Sequence, residues 1–115
     1  MDYKNILLSF DAEIGVLTIN RPKALNALNI ETLKEIQAGL QEVRENQTIK
    51  VLVLTGAGDR AFIAGADISE MRGMAPIEAV NFSKMGHQTL NMIQDLDRPV
   101  IAAVNGFALG GGTEI

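Results

Sequence analysis

The sequence predicts an α/β protein built as one unit. Apolar residues recur at helical spacing over two segments, and short runs of branched apolar residues lie before, between and after them. The chain has 115 residues, of which 47% are hydrophobic and 21% charged, which is enough for one domain with a modest core. We therefore expect the element order β-β-α-β-α-β within a single unit.

The first two strands are predicted to form a hairpin. Residues 6–10 and 16–20 are apolar or β-branched runs, and a polar Asp11-Ala12-Glu13 segment and Gly15 separate them. Pro22 has no backbone N–H and biases Arg21 towards an extended conformation. A loop is therefore expected after the second strand.

An amphipathic helix and a parallel strand are predicted next. Asn29 is a suitable helix cap, and the apolar positions after it follow spacings of three and four: Ile30, Leu33, Ile36, Leu40 and Val43. Residues 51–54 are a continuous apolar run, typical of a strand that is buried on both faces of a parallel sheet. A helix followed by such a strand implies a crossover connection.

The second half of the chain repeats this pattern. Residues 55–66 contain three glycines among small residues and are predicted to be a loop. A helix is expected from about residue 76 to 96, with Pro76 in its first turn and one apolar side: Phe82, Met85, Thr89, Met92, Ile93 and Leu96. Residues 100–104 predict another buried strand. Gly110, Gly111 and Gly112 are predicted to form a turn at the start of a further helix.

Two loops carry the candidate chemistry. Residues 60–69 follow one buried strand and residues 105–114 follow the next, where open α/β sheets place their ligand sites. Small side chains leave backbone N–H groups uncovered in both loops. If one N–H from each points at a carbonyl oxygen, the pair forms an oxyanion hole that stabilises an enolate. The alternatives are a plain tight turn at the glycines and a glutamate that only complements the helix dipole.

Composition excludes several classes of function. Ten Lys and Arg against fourteen Asp and Glu give a net charge of -4, so nucleic acid is not an expected partner. There is no cysteine and one histidine, His87, which is predicted to be a surface residue; no metal site is proposed. Neither a signal peptide nor a membrane span is recognisable, and we expect a cytoplasmic protein without a membrane partner.

A dinucleotide site is a weaker alternative. Residues 56–61, Gly-Ala-Gly-Asp-Arg-Ala, fit the pattern G-x-G-x-x-A after a strand, and Glu78 lies further on. Such a motif should open directly into a helix, whereas residues 61–65 are predicted to continue as a loop. We therefore disfavour a bound dinucleotide.

Four segments taken together resemble a known family. Residues 19–28 (INRPKALNAL), 53–56 (VLTG), 61–68 (AFIAGADI) and 98–114 (RPVIAAVNGFALGGGTE) match the enoyl-CoA hydratase (crotonase) family in order and spacing, over essentially the whole chain. Within it, the chain is most similar to the bacterial short-chain enoyl-CoA hydratases, also called 3-hydroxybutyryl-CoA dehydratases. The resemblance implies a crotonase-like spiral of ββα units, of which residues 1–115 form the N-terminal part of one domain, and assembly into homotrimers or hexamers.

The resemblance also implies the site. The two oxyanion-hole donors fall on the backbone N–H groups of Ala66 and Gly111, and the first catalytic glutamate falls on Glu114. The stretches that line the coenzyme A path correspond to Lys23, Ala24, Leu25, Ala64, Asp67, Ile68 and Ser69. Coenzyme A is part of the acyl-CoA substrate, and no separate cofactor is expected.

The implied reaction is reversible hydration of a short trans-2-enoyl-CoA to 3-hydroxyacyl-CoA. A second glutamate of the family lies beyond residue 115, so the 115-residue chain alone is predicted to be inactive. Two alternatives stay open: another crotonase-fold acyl-CoA enzyme, such as an enoyl-CoA isomerase, and a non-catalytic acyl-CoA-binding fragment.

Overall fold

The fold consists of three consecutive ββα units, as the resemblance implies. The computed structural model describes residues 2–115. The first unit is β1 (Ile6–Asp11), β2 (Ile14–Ile19) and α1 (Ile30–Glu45), with a 3₁₀ turn over Pro22–Ala24. The second is β3 (Val51–Gly56), β4 (Ala61–Ile63), α2 (Ile68–Met71) and α3 (Pro76–Gln94). The third is β5 (Val100–Ala102), β6 (Phe107–Ala108) and α4 (Gly111–Glu114).

Two sheets organise these units. β1 pairs antiparallel with β2, which confirms the predicted hairpin, and β2, β3 and β5 then run parallel in the order β1-β2-β3-β5. β4 and β6 form a separate parallel pair. The first strands of the second and third units therefore extend the larger sheet, while their second strands build the smaller one.

Helix α1 forms as predicted, and side chains cap both of its ends. The Asn29 side chain accepts a hydrogen bond from the Thr32 backbone N–H at 2.8 Å. At the other end, Nη1 of Arg98 donates to the carbonyl oxygens of Val43 and Asn46 at 2.5 and 2.9 Å. Because the last carbonyls of a helix have no partner within it, Arg98 stabilises this terminus and ties β5 to α1.

The core lies between the larger sheet and helices α1 and α3. Its apolar stripe on α1 is the predicted one, and it meets inward side chains of β2 and β3. Its most deeply buried members include Ile6, Leu17, Ile36, Leu40, Val43, Leu52, Phe62 and Ile63. Helix α3 contributes Phe82 and Ile93, so the predicted apolar side of the second helix is confirmed in part.

The predicted burial of the parallel strands on both faces is wrong. Burial alternates along β3, where Leu52 and Leu54 are buried while Val51 and Val53 are only half-buried. In β5, Ile101 is 53% exposed. Helix α1 packs on one face of this sheet, and an apolar run does not reveal how many layers cover a strand.

Three short elements were not predicted from the residues. Residues 61–63 of the expected loop form β4, and β6 and α2 are also additions. Because strands of two or three residues have no readable period, only their pairing across the fold defines them. The strand after the Gly56 and Gly58 motif contradicts the dinucleotide alternative, which requires a helix there. Within residues 2–115, none of the helices combines the length and the apolarity needed to span a bilayer.

Candidate functional site

The two predicted loops meet at the ends of β4 and β6. The Leu109 N–H donates to the Ile63 carbonyl oxygen at 3.1 Å, so the chain after β6 lies against the end of β4. Gly112 packs on the same carbonyl group so closely that a Cβ there would lie 2.1 Å from the Ile63 oxygen. This approach explains why the position needs glycine: any side chain there would push α4 away from β4.

The Ala66 peptide is held by its neighbours on both sides. The Leu28 N–H donates to the Gly65 carbonyl oxygen, and the Asp67 N–H donates to the Leu28 carbonyl oxygen, each at 2.8 Å. In such a parallel bridge the central residue directs its own N–H away from the partner segment. Across residues 2–115, no protein group accepts a hydrogen bond from the Ala66 N–H.

Gly111 presents the second unpaired donor. It is the first residue of α4, after Gly110, whose φ of 51° turns the chain into the helix. The first N–H groups of a helix have no partner within it, and in the described part of the chain the Gly111 N–H has no other acceptor. Glu114 lies in the same single turn of helix.

A cavity of about 220 Å³ brings these groups together. Ala66, Gly111 and Glu114 all line it, and most of its remaining wall comes from α1, α2 and α3. The wall residues are mainly apolar: Leu28, Leu33, Ile36, Met71, Ala79, Phe82, Ser83, Gly86, His87, Thr89, Leu90 and Ile115. Glu114 also borders a second cavity of about 420 Å³ beside Arg98. The arrangement offers two backbone donors and one carboxylate at the edge of an apolar pocket.

Comparison with known proteins agrees with this geometry. A sequence model of the family described as enoyl-CoA hydratase/isomerase matches residues 9–115. The chain belongs to the enoyl-CoA hydratase/isomerase family. The predicted family and fold class are therefore confirmed.

Three relatives illustrate the similarity. The short-chain enoyl-CoA hydratase of Clostridium acetobutylicum is 50% identical over all 115 residues, and the crotonyl-CoA hydratase of Syntrophomonas wolfei is 47% identical. The crystal structure of an enoyl-CoA hydratase from Bacillus anthracis superposes with a TM-score of 0.94 at 39% identity, over 96% of this chain and 43% of that one. The chain spans 44% of the length of each of the first two relatives.

The other predicted residues of this family's site lie in two places. The Ala64 N–H donates to the Leu25 carbonyl oxygen at 3.1 Å, so these two join the loop that leads to Ala66. Lys23 and Ala24 instead line a separate depression of about 410 Å³ with Asn5 and with residues 20–22, which follow β2. Ile68 is exposed at the start of α2.

Asp67 is engaged within the protein through both carboxylate oxygens. Its Oδ1 accepts hydrogen bonds from the N–H and Oγ of Ser69 at 3.0 and 2.6 Å, and thereby caps α2. Its Oδ2 pairs with Nη1 of Arg21 at 3.1 Å. The hydrogen bond from Ser69, with the Arg21 guanidinium as a further cause, lowers the pKa of Asp67 below its ordinary value of 3.8.

Sequence reasoning missed two asparagines that support this site. Asn26 is fully buried with a φ of 56°, and its amide Nδ2 donates to the carbonyl oxygens of Ala57 and Ala61. Asn105 accepts from the Gly56 N–H at 3.1 Å and donates to the Gly58 and Ala61 carbonyl oxygens. A readable signal existed for Asn26, since asparagine in a turn tolerates a positive φ and hydrogen-bonds to nearby backbone groups.

His87 is exposed on α3, as predicted, and it also lines the cavity opposite the two loops. Among residues 2–115, no group of three or more His, Asp or Glu side chains is arranged to hold a metal ion.

Proposed function

We propose that residues 1–115 are the N-terminal part of one crotonase-like domain of a longer enzyme, which reversibly hydrates short trans-2-enoyl-CoA thioesters to 3-hydroxyacyl-CoA. The observation that carries the proposal is the convergence of the unpaired Ala66 and Gly111 N–H groups and of Glu114 on one cavity. The proposal is also supported by two relatives that are named as hydratases and are about half identical to this chain in sequence.

The backbone donors supply the electrophilic part of the mechanism. The thioester carbonyl oxygen accepts hydrogen bonds from the Ala66 and Gly111 N–H groups, which withdraws electrons from the conjugated double bond. As water attacks the β-carbon, the π electrons move towards that oxygen and form an enolate. Two fixed donors in an apolar pocket stabilise this charge, and the loss of one such donor costs about 3 to 4 kcal/mol.

Glu114 supplies the proton-transfer part. We assign its carboxylate to the attacking water, which it orients and from which it accepts a proton as the carbon–oxygen bond forms. The enolate then collapses and its α-carbon takes up a proton from a second acid, which we place in the part of the protein after residue 115. In the reverse direction the same groups expel water.

The coenzyme A portion of the substrate is assigned to the loops beside the cavity. We assign the pantetheine path to Leu25, Ala64, Ile68 and Ser69, and we place Lys23 and Ala24 near the phosphates, where the Lys23 ammonium group offers a positive charge. No cofactor other than this part of the substrate is required. We also propose assembly into a homotrimer or hexamer, and a cytoplasmic location.

The first experiment is to measure the intact mass of the purified protein. A mass near 12.4 kDa would identify the 115-residue chain itself, for which we expect weak binding of coenzyme A esters and no turnover. For a longer protein we expect loss of the enoyl absorbance of crotonyl-CoA on addition of enzyme. Conversion of a 3-enoyl-CoA to the 2-enoyl isomer without hydration would instead identify an isomerase. Binding without either reaction in the longer protein would indicate an acyl-CoA-binding protein.

A further inference from the structure

We propose that Arg21 and Asp67 form a positioning pair that holds the Ala66 N–H in the direction required of an oxyanion-hole donor. This inference rests on the proposed function and assigns Asp67 to the support of the site instead of to direct contact with substrate. Neither residue lines the cavity that contains Ala66, Gly111 and Glu114. Their effect on chemistry must therefore pass through the backbone.

Both oxygens of the Asp67 carboxylate are engaged by groups of the protein. Oδ1 is used by the Ser69 N–H and hydroxyl, and Oδ2 by the Arg21 guanidinium at 3.1 Å. The two side chains are largely shielded, with 18% of Arg21 and 13% of Asp67 exposed. A charge pair that is shielded from water and held by further hydrogen bonds keeps a fixed geometry, whereas an exposed pair is screened by solvent.

Arg21 connects the pair to the neighbouring segment. Its Nη1 also donates to the Ala27 carbonyl oxygen at 2.6 Å, and its own backbone N–H donates to Oδ1 of the buried Asn26 at 2.8 Å. The guanidinium therefore joins the segment that ends at Leu28 to the start of α2.

Ala66 lies between these anchors. Its two flanking peptides are hydrogen-bonded to Leu28, immediately after the Ala27 carbonyl that Arg21 contacts. When the ion pair is removed, Asp67 loses one of its two attachments, and the peptide that carries the Ala66 N–H can rotate. A displacement of about 1 Å in such a donor reduces turnover by about 100-fold without removing any contact that binds the substrate.

The test uses the full-length protein and butyryl-CoA labelled with ¹³C at the carbonyl, because this saturated thioester cannot be hydrated. Infrared difference spectra report how strongly the bound carbonyl is polarised. Asp67→Asn is the main variant, since asparagine still caps α2 but cannot pair with Arg21. We expect the carbonyl stretch to return towards the value of free butyryl-CoA, and kcat for crotonyl-CoA to fall by about 10- to 100-fold while Kd changes little.

Arg21→Lys provides a second variant that keeps the charge and loses the planar donor geometry, and we expect a smaller shift in the same direction. Glu42→Gln is the matched control, because Glu42 lies on α1, accepts a hydrogen bond from the Tyr3 hydroxyl and does not line the cavity that contains Ala66, Gly111 and Glu114. The carbonyl stretch of butyryl-CoA bound to Glu42→Gln should equal that of butyryl-CoA bound to the wild type.

The two proposals fail in different ways. A wild-type complex with an unshifted carbonyl stretch would contradict the oxyanion hole itself. A shifted wild-type stretch that Asp67→Asn and Arg21→Lys leave unchanged, in folded variants with wild-type kcat, would overturn the positioning role alone. Equal losses of thermal stability in Asp67→Asn and Glu42→Gln, with a spectral change only in the former, would support it.

Discussion

The side-chain amides of Asn26 and Asn105 donate to the same acceptor, the Ala61 carbonyl oxygen, at 2.9 and 3.1 Å. Asn26 precedes α1 and Asn105 follows β5, so this one oxygen joins the first and third ββα units at the start of β4. β4 leads directly into the loop that carries Ala66. The position of the candidate donor therefore depends on two side chains that lie far from it in sequence.

Asn26→Ala is expected to destabilise the protein strongly. It leaves the Ala57 carbonyl oxygen and the Arg21 N–H without their side-chain partner in a buried position, which lowers the free energy of unfolding by about 2 to 4 kcal/mol. Chemical denaturation of the intact protein measures this. Asn26→Asp keeps the acceptor for the Arg21 N–H but places a buried carboxylate oxygen against the Ala57 and Ala61 carbonyl oxygens, so it should be destabilised at least as much. The exposed Gln41→Ala is the control and should be nearly neutral. An Asn26→Ala protein as stable as the wild type would contradict the structural role.

Adjacent glycines are expected to respond very differently to alanine. A Cβ at Gly112 would lie 2.1 Å from the Ile63 carbonyl oxygen, whereas a Cβ at Gly111 meets only the Leu28 side chain at 3.7 Å. Gly112→Ala should cost about 3 kcal/mol by forcing β4 and α4 apart. Gly111→Ala should stay within about 1 kcal/mol of the wild type, since alanine is the better helix former. Thermal unfolding of the two variants tests this. A Gly111→Ala protein less stable than Gly112→Ala would contradict the packing of Gly112 on Ile63.

Glu114→Gln tests the proposed proton transfer. Glutamine keeps the size and a hydrogen-bonding oxygen but cannot accept the proton of water, so kcat for crotonyl-CoA should fall by about 10²- to 10⁴-fold. Binding of butyryl-CoA, measured by calorimetry, should be nearly unchanged. The exposed Glu31→Gln on α1 serves as the control. Hydration by Glu114→Gln at close to the wild-type rate would remove Glu114 from the mechanism.

Asp67 should make stability depend on pH on the acid side. Its pKa in the folded protein is lowered by the Ser69 hydrogen bond and by Arg21, so the folded state favours the carboxylate more than the unfolded chain does. This contribution is complete above the ordinary pKa of 3.8 and is lost as the pH falls through the lower folded value. The difference in unfolding free energy between wild type and Asp67→Asn should therefore be constant near neutrality and shrink in acid. A difference that grows on acidification would refute this linkage.

Local patterns were sufficient for the longer elements. The hairpin, α1 with its Asn29 cap and α3 with Pro76 in its first turn could all be read from residues that are close in sequence. Glycine content likewise marked the two loops that meet at the cavity. These features depend on dihedral preferences and on hydrophobic periodicity, which act over a few residues.

The sequence by itself thus determined the fold class, the family resemblance and the two segments that carry the site. Only the tertiary structure decided that β4 and β6 are strands and that side chains of the larger sheet alternate between buried and partly exposed. It also decided that the Asp67 carboxylate pairs with Arg21. Strands this short exist only through hydrogen bonds to a distant partner, and burial depends on which layers pack on a sheet. The ion pair between Arg21 and Asp67 likewise forms only because the fold brings two segments that are distant in sequence together.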